Sequence, residues 1–585
     1  MGKRIKTGLL VAGGGIGGLV TAISAKETEP GLEVTIVEKY TSGYSGKANR
    51  GAGIMVALGD YKPEEFVQYH TDKIGKYLND QEFLMKFASE INNDLEALDS
   101  WSNGKLDKDA DGAIRTVKWR SQLRGVGEDG VYDFDQDNEY PWTLAAVDLD
   151  FLLEMRKTAV RLGVKFVDRV GIVDVLKAAG GAVNGAVGFS LDTGETYVFE
   201  ASALVLATGG QNYRVMPMWA CARGEGHAAA WRAGASLTNG EFGSFYNWTS
   251  PHNFKDEMGV EYGLYNNKGE NVGLQHTIEP HPDIDQDSLA EYYRQVKAGN
   301  GPLHYRQDEN IMLPFTRSML GSDAAYFKRP YSNRWWGKLI FNGATQEPDD
   351  VIMPGLVGEY GAVKVDMDFC TGVPGLYAVG EVCAGGTRCF GAVPAPPARV
   401  RGIALNLMTF HGRMAGPAAA AYAASIGAAG AVSDAQEAGT ESRFNAPLGR
   451  TGDMTVNDFV FEIAKVMQPV GNSLYRNEAR LTKALNRILD LKGQVTRVEA
   501  KSPHHLFGVN EIESTLLCAE MFFRASLERK HSIGWFLRED YPDPPEKLEW
   551  IVIENDGDGG PRIVREPVPV EGYPFKPGQG GGQER

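Results

Sequence analysis

Three glycines near the start of the chain, together with one acidic residue, have the spacing of a dinucleotide-binding turn. Gly13, Gly15 and Gly18 follow a short apolar run, and a second apolar run ends at Glu38. Strand, glycine turn, helix, strand and acid is the order found in dinucleotide-binding units. The first glycine permits the turn, the second lets a pyrophosphate approach the backbone, and the third lets the helix lie close to the strand.

The residues around this turn predict the elements that must position it. The pattern predicts a helix over 16–26 and a strand over 34–38. The helix N-terminus would offer unpaired N–H groups and a positive dipole end to phosphates. Glu38 would accept hydrogen bonds from a ribose. A glycine turn that only joins a strand to a helix is the alternative, and the acid at this spacing argues against it.

Size and charge limit the classes of partner. The chain has 585 residues, a net charge of −16 and a sequence pI near 5.3. Such an acidic chain is not expected to bind nucleic acid or an anionic membrane. No apolar run reaches the roughly 20 residues that a membrane span needs, and the basic N-terminus continues directly into the glycine turn. We therefore expect a cytoplasmic protein without a membrane span.

The cysteines do not suggest a metal centre. The chain has 5 cysteines, and none forms a Cys-X-X-Cys pair. We therefore expect no iron–sulfur cluster, structural zinc or other metal on this chain. Cys383 and Cys389 flank a glycine-rich loop, so a redox role is the alternative to small buried thiols.

The order of strand and helix patterns indicates an interrupted α/β domain. A small antiparallel meander is predicted over 171–200, followed by a buried strand that ends in Ala-Thr-Gly-Gly at 207–210. The strand–helix rhythm is lost over 242–355, which is rich in aromatic residues, histidine and proline, and it returns at 362–381. Helical patterns then dominate over 455–530. This order predicts a second domain inserted into the first.

Five segments together resemble the fumarate reductase/succinate dehydrogenase flavoprotein family over nearly the whole chain. They are Ala-Thr-Gly-Gly at 207–210, the segment 224–235 that begins Gly-Glu-Gly-His, Gly-Leu-Tyr-Ala-Val-Gly-Glu at 375–381, the arginine-containing helix start at 398–416, and the segment 529–542 that ends Arg-Glu-Asp-Tyr-Pro. Within that family, 296–304 and the Arg529-Lys530 pair resemble the adenylylsulfate reductase branch most.

The resemblance implies an α/β fold with a Rossmann-like FAD-binding domain, an inserted α+β capping domain and a C-terminal helical domain. The expected boundaries are 1–241 and 356–425 for the two parts of the FAD-binding domain, 242–355 for the capping domain, and 426–585 for the helical domain with a disordered tail. A helix that begins near Gly402 would point its positive end at the flavin. Family members with covalent FAD carry a histidine where this chain has Gly46, so we expect noncovalent FAD. The residues expected to contact FAD are Gly13, Gly15, Gly18, Glu38, Ser45, Gly46, Gly51, Gly53, Thr208, Gly209 and Glu381.

The resemblance also gives candidate catalytic residues. Arg399 falls on the arginine that grips a substrate carboxylate in the family, a task that suits the always-charged, bidentate guanidinium. Arg388 lies close to it in sequence. Arg317 is the candidate proton donor by its position late in the capping domain, and Tyr246 lies in the segment 245–248 that replaces a family motif. Structural or surface salt bridges are the alternative roles for these arginines.

Departures from the family motifs bear on the substrate. Residues 245–248 and 359–362 replace the family's histidine- and threonine-containing dicarboxylate motifs, and Met55 replaces an asparagine of the adenylylsulfate reductases. The predicted function is therefore an FAD-dependent oxidoreductase for a small anionic substrate, which reduces an activated C=C bond or catalyses the reverse dehydrogenation. Its expected partners are a separate electron carrier, such as a ferredoxin-like iron–sulfur subunit, and further copies in an oligomer.

Two other functions compete with this one. A non-catalytic FAD-containing electron-transfer subunit would explain the altered motifs. A simple NAD dehydrogenase would use the same glycine turn, but it requires a second independent domain, which the sequence does not suggest.

Overall fold

The computed structural model describes most of the chain, with several gaps. The described residues are 2–49, 53–126, 132–148, 150–214, 222–252, 254, 256–257, 264–272, 286–305, 351–358, 361–384, 402–557 and 560–578. The strands are β1 Lys3–Ala12, β2 Val34–Glu38, β3 Ile54–Ala57, β4 Thr116–Val126, β5 Tyr132–Ala146, β6 Lys165–Asp168, β7 Val170–Lys177, β8 Val183–Ser190, β9 Thr196–Leu206, β10 Leu237–Thr238, β11 Phe245–Thr249, β12 Asp256–Glu257, β13 Leu264–Tyr265, β14 Leu303–Tyr305, β15 Val351–Leu356, β16 Ala362–Val363, β17 Leu376–Ala378, β18 Tyr475–Arg476, β19 Leu537–Arg538, β20 Glu549–Asn555 and β21 Pro561–Pro567.

The α-helices include the long pair that supports the first sheet and a C-terminal group. They are α1 Ile16–Thr28, α2 Pro63–Tyr69, α3 Gln81–Trp101, α4 Phe151–Arg161, α5 Glu225–Ala233, α6 Gln286–Lys297, α7 Ile403–Ile426, α8 Asp434–Asn445, α9 Val456–Met467, α10 Val470–Ser473, α11 Glu478–Gln494 and α12 Pro503–Glu528. None of the helices in the described ranges is both long and apolar enough to cross a lipid bilayer.

The central sheet combines a parallel half with an antiparallel meander. Its strand order is β6-β2-β1-β9-β8-β7, and β17 pairs with the end of β9 that β8 leaves free. Strands β6, β2, β1, β9 and β17 run parallel. The carboxyl ends of these strands therefore meet at one edge of the sheet, where α/β proteins bind ligands.

Two helices pack closely beside this sheet because small residues separate them. A Cβ atom at Gly412 of α7 would lie 2.7 Å from the Val20 side chain of α1, and one at Gly416 would lie 2.7 Å from Thr21 O. The contact brings the two backbones together, and the apolar residues of β1, β2 and β9 are buried. As a result, the N-termini of α1 and α7 lie at the same sheet edge.

Smaller sheets complete the architecture. Strands β12-β11-β15-β14-β13 form one sheet within 245–356, and β16-β10-β20-β21 form another. The latter joins a C-terminal hairpin, which the sequence did not reveal, to strands that precede α7. Helices α8 to α12 form the mainly helical C-terminal part, and the glycine-rich tail after residue 578 lies outside the described residues.

Candidate functional site

A long groove runs along the carboxyl edge of the central sheet. It is lined by the turn from β1 into α1, the end of β2, the loop 45–48, the ends of β9 and β17, the start of α7, and two side chains of α12. The residues come from segments that are far apart in sequence. Among the residues predicted to contact FAD, Gly13, Gly15, Glu38, Ser45, Gly46, Gly53, Thr208, Gly209 and Glu381 lie along this groove.

The first and third glycines of the turn are fixed by close backbone contacts. Gly13 has a φ of +118°, and a Cβ atom there would lie 2.2 Å from Ala207 O. A Cβ atom at Gly18 would lie 1.9 Å from Gly13 O, which forces the first turn of α1 against β1. Only glycine fits these two positions. Gly18 thus shapes the turn without lining the groove.

The second glycine is different, because it leaves space. Gly15 has an ordinary φ of −76° as the N-cap of α1, and no described atom lies within 4 Å of the position that a Cβ atom would take. No side chain in the described ranges caps the helix here. The N–H groups of the first turn and the positive end of the helix dipole therefore face the groove. A cradle of this shape fits a pyrophosphate.

Glu38 is oriented by backbone donors on both sides. Its carboxylate accepts hydrogen bonds from Gly14 N at 2.7 Å and from Tyr40 N at 2.9 Å. Each carboxylate oxygen has a further lone pair. The side chain can consequently accept ribose hydroxyls from a dinucleotide while it stays fixed at the end of β2.

Hydrogen bonds to neighbouring elements fix the loop of small residues that follows β2. Asp168 accepts hydrogen bonds from Ser42 N at 2.9 Å and Ser42 Oγ at 2.6 Å, and it forms an ion pair with Arg156 at 2.8 Å. Gly43 N donates to Gly14 O at 2.8 Å. These bonds position Ser45 and Gly46 along the groove.

The far end of the groove carries a second acid and a second helix N-terminus. Glu381, just after β17, forms an ion pair with Lys47 at 2.9 Å. Gly402, with a φ of +78°, caps α7, and the first turn of α7 lines the groove with Ala404 and Leu405. The two ends thus offer a carboxylate and a helix N-terminus each, an arrangement that suits an elongated group with two sugar-like halves and central phosphates.

Three charged residues at the near end were missed by the sequence analysis. Lys39 Nζ lies 2.6 Å from Glu225 Oε1 of α5 and 2.7 Å from Glu511 Oε1 of α12. Burial lowers the pKa of Lys39, but the two carboxylates outweigh that effect and raise the pKa well above its ordinary value. In the sequence, only the position of Lys39 directly after Glu38 could have indicated that it lies at the groove.

Several predicted site residues cannot be placed. Gly51, Arg317, Arg388 and Arg399 lie outside the described residues. Tyr246 belongs to β11 by its backbone, and its side chain is not among those described. Their roles therefore stay predictions, as do the contacts of the groove residues with the cofactor.

Two family models match this chain. A model described as FAD binding domain matches residues 8–257, and one described as fumarate reductase flavoprotein C-term matches residues 462–580. The groove takes lining residues from both matched segments, since Gly15 lies in the first and Asn510 in the second.

Whole-length relatives agree with these models. A fumarate reductase flavoprotein subunit of Mycobacterium tuberculosis is 27% identical over 97% of this chain and 98% of the relative. The solved structure of Mycobacterium smegmatis Sdh1 in complex with UQ1 is 22% identical, with a TM-score of 0.76 over 97% of this chain and 95% of that chain. Adenylylsulfate reductase of Archaeoglobus fulgidus is 19% identical, with a TM-score of 0.71 over 97% and 96%. The predicted fold class is confirmed.

Proposed function

This chain belongs to the fumarate reductase/succinate dehydrogenase flavoprotein family of FAD-dependent oxidoreductases, and we propose that it acts as a catalytic flavoprotein subunit on a small anionic substrate. When bound, FAD supplies two-electron chemistry at the flavin ring. The proposed reaction is the reduction of an activated C=C bond or the reverse dehydrogenation. The observation that carries the proposal is the groove itself, which continues from Glu38 past Gly15 to the start of α7.

The residues at the far end of the groove would hold the flavin half of FAD. The N–H groups of the first turn of α7 stabilise negative charge on a ring that lies against them. Glu381 and Lys47 would bind hydroxyls of the ribityl chain. Gly46 offers no side chain for a covalent bond, which supports noncovalent binding.

We assign substrate binding and proton transfer from the sequence alone. Arg399 would bind the substrate carboxylate in two parallel hydrogen bonds, with Arg388 and Tyr246 nearby in the pocket. Arg317 would deliver the proton. The capping domain, with proposed boundaries at 242 and 355, would bring these groups to the flavin.

The proposed partners extend the same function. The curated relatives are named as flavoprotein subunits, which supports electron exchange with a separate iron–sulfur protein. We also propose that the chain forms an oligomer and works in the cytoplasm.

The test is an anaerobic reoxidation assay. The purified chain is loaded with FAD, reduced with dithionite, and mixed with small unsaturated carboxylates while flavin absorbance is followed. We expect one class of carboxylate to reoxidise the flavin, and Arg399→Ala to slow this step roughly 100-fold, with part of the rate restored in Arg399→Lys.

Arg562→Ala is the control, because the Arg562 side chain is exposed on strand β21. If no carboxylate in either redox direction reacts, while one-electron carriers do, the chain is instead the non-catalytic electron-transfer subunit. Equal reoxidation rates in Arg399→Ala and the native chain would exclude the proposed binding of the substrate carboxylate by Arg399.

A further inference from the structure

The groove ends, beyond Glu38, in a slot between the central sheet and helix α12. Gly171 and Ile172 of β7 line one side, and Phe507 and Asn510 of α12 line the other. A Cβ atom at Gly171 would lie 2.5 Å from Phe507 Cε1, so the aromatic ring packs directly on the strand backbone. The slot therefore has one apolar, flat boundary and one polar group.

That polar group is the carboxamide of Asn510, whose oxygen atom has no hydrogen-bond partner among the described residues. Asn510 is 5% exposed, and within the described residues its Oδ1 atom accepts no hydrogen bond. Burying a carboxamide oxygen without a hydrogen bond is costly, and such an atom in a native protein needs an explanation. A bound ligand in the slot would supply the missing partner.

Helix α12 is fixed at this point by the ion pairs of Lys39. Glu511, the neighbour of Asn510, contacts Lys39 at 2.7 Å, and Lys39 directly follows Glu38 at the end of β2. The second carboxylate, Glu225, holds the ammonium from the start of α5. These ion pairs therefore hold the Asn510 segment of α12 close to Glu38, the residue expected to bind the ribose of the dinucleotide.

The order of groups along the groove sets which part of FAD reaches this slot. The N-terminus of α1 marks the pyrophosphate, and Glu38 marks the ribose of the adenosine half. The base attached to that ribose must lie on the side of Glu38 away from Gly15. Phe507 and Asn510 line the groove next to the contact between Glu511 and Lys39, the residue directly after Glu38.

We propose that Asn510 recognises the adenine of FAD, so that the C-terminal helical part of the chain contributes to cofactor specificity. A carboxamide presents a donor and an acceptor side by side and can rotate to offer either. The adenine edge carries the matching pair, an amino donor at N6 and a ring-nitrogen acceptor. The flat face of the purine would lie in the apolar part of the slot beside Phe507.

Binding measurements on the apoprotein test this assignment without any turnover. Three probes are titrated by flavin fluorescence: FAD, FMN, and an FAD analogue with unsubstituted purine in place of adenine. We expect the native chain to prefer FAD over the purine analogue by about tenfold. Asn510→Leu should remove that preference, weaken FAD binding about tenfold, and leave FMN binding unchanged.

A second variant separates recognition from structure. Asn510→Asp keeps the side-chain size and the acceptor for the N6 amino group, so its preference for FAD over the purine analogue should persist. Ser514→Ala is the matched control, because Ser514 is buried one turn further along α12, bonds to Asn510 O within the helix at 2.7 Å, and does not line the groove.

The proposal depends on FAD as the cofactor and not on the proposed substrate. An unchanged FAD-to-analogue ratio in Asn510→Leu would overturn it. Equal weakening of all three probes would overturn it as well, since FMN lacks adenine and such a loss would reveal a purely structural role. If the binding measurements give the expected result and the reoxidation assay fails, adenine recognition by Asn510 is supported and only the proposed catalysis is contradicted.

Discussion

At the scale of single residues, the glycines of the turn have different physical roles. Gly13 and Gly18 are required by the protein itself, because any Cβ atom would collide with backbone oxygen atoms. Folding does not require glycine at position 15, because the backbone conformation there is ordinary and a Cβ atom would meet no described atom within 4 Å. The absence of a side chain at Gly15 therefore serves the ligand, and folding and binding can be separated at this position.

Gly15→Ala should weaken FAD binding by about tenfold or more, because the methyl group would occupy the pyrophosphate cradle. The stability of the apoprotein should change by less than about 1 kcal/mol. FAD fluorescence titration and chemical denaturation measure the two effects. Gly31→Ala is the matched control, since a Cβ atom there also meets nothing within 4 Å and Gly31 lies outside the groove. An intact FAD affinity in Gly15→Ala would contradict the assigned cradle.

At the scale of elements, helix α7 supports the groove from behind as well as at its end. His411 of α7 is buried, and its Nδ1 atom accepts a hydrogen bond from Gly380 N at 3.1 Å. Burial lowers the pKa of His411 to about 3, which keeps the ring neutral and able to accept. The ring therefore holds the segment between β17 and Glu381 against α7.

This buried ring predicts a pH dependence of stability. Below pH 6.5 the unfolded chain protonates His411 and the folded chain does not, so the free energy of unfolding falls as the pH falls toward 3. His411→Asn keeps an acceptor but cannot take up a proton. Between pH 6 and 4, the free energy of unfolding of this variant should change less steeply with pH than that of the native chain, by up to about 1.4 kcal/mol per pH unit.

Denaturation midpoints across this pH range measure the slope. His504→Asn is the matched control, because His504 is exposed on the first turn of α12. A native slope in His411→Asn would show that the ring does not stay neutral in the folded chain.

At the scale of the whole molecule, a buried ion pair joins two segments that are far apart in the sequence. Glu241 and Arg529 have side chains that are both 0% exposed and lie 2.6 Å apart. Arg529 Nη2 also donates to Glu549 O at 3.1 Å, and Arg476 donates to Glu241 O at 2.9 Å. The pair thus joins the segment after β10 to the end of α12, to β18 and to β20.

Removing one partner should leave a buried charge without compensation. Glu241→Gln or Arg529→Met should each lower the free energy of unfolding by about 3–5 kcal/mol. Arg562→Met, which removes an exposed pair with Glu554, should cost less than about 1 kcal/mol. Chemical denaturation of the three variants gives the comparison, and similar small losses in all of them would refute the role of the buried pair.

Much of the fold was predictable because its signals are local. The glycine turn, the acid at Glu38 and the buried strand before Thr208 follow from short-range spacing. The pairing of β20 with β10 was not predictable, because the two strands lie more than 300 residues apart, at Leu237↔Ile553. Strand pairing across such separations leaves no periodic pattern in the sequence.

The sequence by itself determined the cofactor class and the fold class, since both depend on the order of local motifs along the chain. Tertiary structure alone decided the composition of the groove's near end. Lys39, Glu225 and Glu511 meet only because α5 and α12 pack against the end of β2. Such contacts depend on the three-dimensional course of the backbone. From the sequence alone, a ligand-binding asparagine on a buried helix, such as Asn510, looks the same as an asparagine with a purely structural role.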